Sequence, residues 1–137
     1  MGFVHAELIL KNAGDVTNVR RGLIGETEIR QTTVTAVVDT GAATLVINEA
    51  IRQQLGLEIV SDYKARLADG SPHTYALTES VQIHWKNREA SLQAILVPNA
   101  ANVLLGAIPL EAMDLVVNPV KQELTGAHGD EQVFIIY

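Results

Sequence analysis

The 137-residue chain has no cysteine. Disulfide frameworks, thiolate metal sites and cysteine nucleophiles are therefore excluded. The absence fits a reducing compartment without requiring one. Basic runs are missing too. The formal net charge is −6, with acidic and basic residues interspersed. Phosphate recognition needs a basic face, so no nucleic acid partner is expected. No apolar run approaches the length of a membrane span. The opening residues, Met1-Gly2-Phe3-Val4-His5-Ala6-Glu7, lack the basic start and apolar core of a signal peptide. Ala6 stands where a myristoylation pattern wants Ser or Thr. These absences lead us to expect a cytoplasmic protein without a membrane partner. His5, His73, His84 and His128 show no metal-ligand spacing, and there is no H-E-x-x-H, no G-x-S-x-G elbow and no phosphate-binding loop. Neither metal nor cofactor is expected.

What is present is a strand-rich pattern. At 47% hydrophobic the chain can bury a core unaided, and its length fits one domain, residues 1–137. No linker, repeat or low-complexity segment interrupts it. Val4, Ala6, Leu8 and Leu10 alternate with His5, Glu7 and Ile9, as in a half-buried strand. Asn12-Ala13-Gly14-Asp15 reads as a turn. Residues 16–24 and 27–38 read as two strands joined around Gly25-Glu26. The second ends in the β-branched run Val34-Thr35-Ala36-Val37-Val38, suited to burial on both faces. Asn48 can cap a short helix that Gly56 closes. Residues 57–68 and 71–85 flank Asp69-Gly70, a strong hairpin signal. Asn87-Arg88 turns the chain into a strand over 89–97. A short strand Val103-Leu104-Leu105 precedes Gly106, and Pro109 opens a second short helix over 109–113. Residues 115–124, broken at Asn118-Pro119, and 133–137 complete the strands. The last ends in Phe134-Ile135-Ile136-Tyr137 and is either core or an interface strand, since exposed it is an aggregation hazard. The fold class is all-β with one or two short helices.

Asp39-Thr40-Gly41 carries the chemistry. It follows directly on the buried run, and a carboxylate leaving a buried strand for a tight turn is costly unless something uses it. Gly41 permits a backbone conformation closed to other residues, and the Thr40 hydroxyl can tie the turn in place. The tripeptide Asp-Ser/Thr-Gly arises by chance in roughly one chain in twenty of this length, so its surroundings decide. Asp69 reads as a turn residue, and Trp85 as packing.

Val37-Val38-Asp39-Thr40-Gly41-Ala42 resembles the active-site motif of the retropepsin-like aspartic proteases, the single-domain class that includes the retroviral enzymes. The Asp69-Gly70 hairpin is similar to that family's flap. Leu104-Leu105-Gly106 is similar to its second signature, with a short helix following. The resemblance covers residues 16–124. It implies a closed β-barrel with a flap hairpin, and a half-enzyme completed by homodimerisation, because the chain offers one such aspartate. It further implies an aspartic endopeptidase with Asp39 as the catalytic carboxylate. By the same resemblance, Thr40 is expected to hydrogen-bond across the dimer axis, Gly41 to help hold water and substrate, and Ala42 to pack beneath the turn. An extended peptide or protein is the implied substrate, with Ala43, Thr44, Ala68, Asp69, Gly70, Ser71, Val103 and Leu104 near it. The chain departs from the retroviral pattern at Ala43-Thr44, where two acidic residues stand there, and at Ala107, where an arginine follows the glycine. Dimer support must then come from elsewhere. A non-catalytic dimeric module on the same fold, binding peptide or only oligomerising, is the alternative.

Overall fold

The computed structural model describes residues 3–66 and 69–136. Strand β1 (Val4–Asn12) alternates as expected, with Ala6, Leu8 and Leu10 in the core and His5, Glu7 and Ile9 outward. It does not end in a turn. Asn12 caps a helix, α1 (Ala13–Arg20), by accepting from the Asp15 N–H at 3.0 Å, and its amide donates to the Leu55 carbonyl at 2.8 Å. The strand expected over 16–24 is thus corrected to helix and loop. Turn composition (Asn, Gly, Asp) and helix-cap composition coincide. What decides is tertiary: the Asp15 carboxylate takes both Arg30 Nε and Nη2 at 2.9 Å, together with the Arg30 N–H at 3.0 Å.

A 3₁₀ turn, Glu26–Glu28, fills what was expected to be the start of the next strand, so β2 is Gln31–Val38. Its first half alternates, while Ala36, Val37 and Val38 are all buried. The reason is its neighbours: β1 pairs antiparallel on one side and β7 (Leu104–Leu105) pairs parallel on the other. After β3 (Leu45–Ile47), Asn48 caps α2 (Glu49–Leu55) and Gly56 closes it at φ 61°. Strands β4 (Ile59–Arg66) and β5 (Pro72–Trp85) form the expected hairpin. The next loop lies one residue earlier than expected, at Lys86-Asn87, because Trp85 pairs with Arg88, the first residue of β6 (Arg88–Leu96). Helix α3 (Ala107–Ala112) starts two residues before the expected 109, with Pro109 in its first turn, where no N–H is missed.

The main sheet runs β1-β2-β7-β3-β6-β5-β4, and β1 also pairs with β5, so six strands close a ring and β4 hangs from β5. Leu8, Leu10, Leu45, Ile47, Ile83 and Leu105 fill its interior, each with no exposed surface. The fold is all-β with few short helices. Beyond α3, the segment expected as one broken strand is a hairpin, β8 (Leu115–Asn118) and β9 (Glu123–Gly126). Asn118 makes its turn by accepting from the Val120 and Lys121 N–H groups, both at 3.1 Å. The expected final strand is not one. Residues 133–136 lie outside regular structure and are exposed, Ile136 at 92%, which rules out the core alternative. The Val133 N–H is taken by Asp114 Oδ2 at 3.1 Å. Tyr137 lies outside the described residues.

Candidate active site

Asp39 is delivered by the buried end of β2. Its N–H donates to the Leu105 carbonyl at 3.0 Å, extending the β2–β7 pairing by one residue. Two bonds then shape the turn: Gly41 N–H to Asp39 Oδ1 at 2.9 Å, and Ala42 N–H to the Asp39 carbonyl at 3.0 Å. Asp39, Thr40 and Gly41 are exposed and Ala42 is half-buried. An exposed carboxylate thus sits on a turn closed by two hydrogen bonds. Gly41 is not at positive φ, which corrects the expectation about its backbone. Its role is clearance: a Cβ there would lie 3.2 Å from Asp39 Oδ1, crowding the carboxylate. The Thr40 hydroxyl has no hydrogen-bond partner among the described residues.

The loop is held from beneath by the second motif. β7 slides between β2, parallel, and β3, antiparallel. From there the chain crosses the loop at close range. Gly106 N–H donates to Thr44 at 3.1 Å, Ala107 N–H to Ala42 at 2.9 Å and Ile108 N–H to Ala43 at 2.9 Å, all to carbonyls. A Cβ on Gly106 would stand 2.5 Å from the carbonyl oxygens of both Ala42 and Thr44. Only glycine allows that approach.

The other expected site residues divide. Ala43 is exposed beside the turn, whereas Thr44 is buried and Val103 is a core side chain; Leu104 is half-buried. Asp69, Gly70 and Ser71 form the tip of the β4–β5 hairpin, and Ala68 lies outside the described residues. Gly70 adopts φ 85°, and Asp69 Oδ1 accepts from the Ser71 N–H at 2.8 Å and hydroxyl at 2.6 Å. Those bonds hold the Asp69 carboxyl below its ordinary pKa, consistent with a turn residue. The four histidines do not gather, and the described residues include no cluster of three or more His, Asp or Glu able to hold a metal.

One cluster escaped the sequence reading. Arg88, 2% exposed, donates Nη1 to the Met113 and Asp114 carbonyls at 2.9 and 2.7 Å, and Nη2 to Gly129 at 2.6 Å. Asp114, buried at φ 57°, bonds His128 Nδ1 at 2.6 Å through Oδ1. Burial pushes the Asp114 carboxyl up, but His128, the Val133 N–H and Arg88 together outweigh it and hold it below the ordinary value. An arginine at a hairpin turn reads as solvated, and nothing local marks it as the anchor of α3. Beside this cluster a groove of about 510 Å³ opens next to Thr40.

The family described as gag-polyprotein putative aspartyl protease matches residues 25–112, well over half of the chain. That span includes the Asp39 turn, the β4–β5 hairpin and Leu104-Leu105-Gly106. No curated protein matches it.

Proposed function

Since the chain belongs to the gag-polyprotein putative aspartyl protease family, we propose that it is an aspartic endopeptidase working as a homodimer, with one Asp39 from each copy. The observation that carries this reading is the Asp39 turn itself: an exposed carboxylate on a loop pinned from β7 and α3 by four backbone hydrogen bonds. Such pinning has a chemical use. A peptide carbonyl is a poor electrophile and water a poor nucleophile, and positioned groups overcome both weaknesses. Two carboxylates about 3 Å apart cannot both ionise easily, so one proton is shared between them, as in aspartic proteases generally. The ionised Asp39 takes a proton from water as it attacks. The protonated Asp39 donates to the carbonyl oxygen. Proton return to the leaving nitrogen completes hydrolysis without metal or covalent intermediate. A two-fold dimer supplies the second carboxylate by symmetry. The β4–β5 hairpin serves as a flap over an extended peptide.

Subunit mixing tests this. Asp39→Asn keeps the shape and removes the ionisable group, so the pure variant should dimerise and be inactive. Excess variant chains captured with wild type in mixed dimers should lower activity per wild-type chain steeply. A flat titration, with subunit exchange confirmed by mass tagging, would overturn the shared-carboxylate mechanism.

A further inference from the structure

We propose that the groove beside Thr40 is the surface on which a second copy of this chain docks, with Glu111 of each copy against His128 of the other. This rests on the dimeric reading above. If two Asp39 carboxylates share a proton, part of the surface flanking the Asp39 turn must face the other copy. The groove does flank it: Thr40 forms one wall, and the rest comes from α3, β8 and the Ala127-His128 segment. Its apolar lining comes from Ala107, Leu110 and Leu115–Val117. Val116 is 47% exposed there although it belongs to a valine-rich strand.

Charge points to a copy of the same chain as the occupant. A two-fold interface must be complementary to itself, so it has to carry both members of any polar pair. Glu111 and His128 are both exposed in this groove, one a carboxylate and one an imidazole. Asp114 Oδ1 engages His128 Nδ1 at 2.6 Å, which fixes the ring and leaves Nε2 as the nitrogen available to a new partner. Asp114 is itself fixed by Arg88 and the Val133 N–H. The imidazole is thus positioned before any second copy arrives, which lowers the ordering cost of docking.

The test is sedimentation velocity over a range of concentrations on wild type, Glu111→Lys, His128→Glu and an equimolar mixture of the two variants, with circular dichroism to confirm folding. Each variant alone places like or non-complementary groups across the axis and should weaken dimerisation about a hundredfold or more. In a mixed dimer one pair is restored with its signs exchanged and the other is the native Glu111–His128 pair, so the mixture should regain the dimer. Val116→Lys leaves the Asp114 cluster untouched and should also dissociate the dimer, so it decides the matter if His128→Glu fails to fold. Wild-type-like association of Glu111→Lys and Val116→Lys overturns the proposal. So does a wild type that is monomeric throughout, the result expected if the chain's own apolar residues 133–136 cover the groove. Peptide cleavage by the same samples separates the two readings. A dimer that responds to the variants but cuts nothing retains the docking surface and removes the protease. Cleavage that needs Asp39, with association unmoved by the variants, does the reverse.

Discussion

Gly106→Ala should uncouple the Asp39 turn from its support. The added methyl would lie 2.5 Å from two carbonyl oxygens and 2.8 Å from the Ala42 carbonyl carbon. All three are backbone atoms, so no side chain can swing aside. Either the 42–44 segment or the start of α3 must move by close to an ångström to reach ordinary contact. Overpacking of this kind costs about 1–3 kcal/mol. The movement also stretches the three bonds from Gly106, Ala107 and Ile108 to Thr44, Ala42 and Ala43, each worth about 0.5–1.5 kcal/mol net. Partial loss of these gives a total of about 2–4 kcal/mol. For a domain of this size that is a fall in Tm of roughly 6–15 °C, measurable by calorimetry or by circular dichroism. Activity should fall further than stability, because a misplacement of about 1 Å at the reacting group can cost a hundredfold. Peptide cleavage measured well below the variant's Tm separates the two effects. A variant melting within about 2 °C of wild type, or cutting at the wild-type rate, would show that the loop and α3 yield at little cost and that the close approach does not hold the turn.

Two further outcomes are expected. The Asp15 carboxyl is held below its ordinary pKa chiefly by its hydrogen bonds with Arg30, so it contributes stability above about pH 4, where a free aspartate is ionised, and loses it as pH falls through the lower folded value; Asp15→Asn should lower the urea midpoint at pH 7 and leave little difference from wild type near pH 2, and equal midpoints at pH 7 would refute it. Gly70→Val places a β-branched residue at φ 85° with nothing within 4 Å to clash, so the cost is conformational, about 1–2 kcal/mol, and local to the hairpin tip; dimerisation and Tm should change little while peptide cleavage falls, and an unchanged rate would show that the tip does not act on substrate.

Much of the fold was legible because its signals are local. The alternation of β1, the caps of α2 and the Asp69-Gly70 turn each depend on residues a few positions apart. α1 was not legible, for a physical reason. Its valines and threonine favour a strand, and Asn12-Ala13-Gly14-Asp15 suits a turn and a helix start equally well. The ion pair that settles the choice joins Asp15 to Arg30, fifteen residues on. The apolar end of the chain was misread for a related reason. Hydrophobic content called for burial, but the described fold gives residues 133–136 no strand to join, and they stand exposed.

The candidate site shows the same division between near and far. Asp39, Gly41 and the need for a glycine at 106 are readable as short motifs, yet the work of Gly106 lies in bringing chain from sixty residues away against the turn. α3 then needs its own anchor. It has six residues and no side-chain N-cap, too short to persist alone. Its N-terminal N–H groups are spent on the Asp39 loop, and the carbonyls just past its C-terminal end, Met113 and Asp114, are taken by Arg88. The helix is therefore a tie between the Asp39 loop and the β5–β6 turn, held at its far end by a buried arginine. Arg88 and Gly106 thus hold opposite ends of the segment that packs against the Asp39 turn. In the retroviral pattern an arginine directly after the second glycine supports the dimer. Ala107 stands there here, and the buried arginine reaches the end of the same helix from another strand.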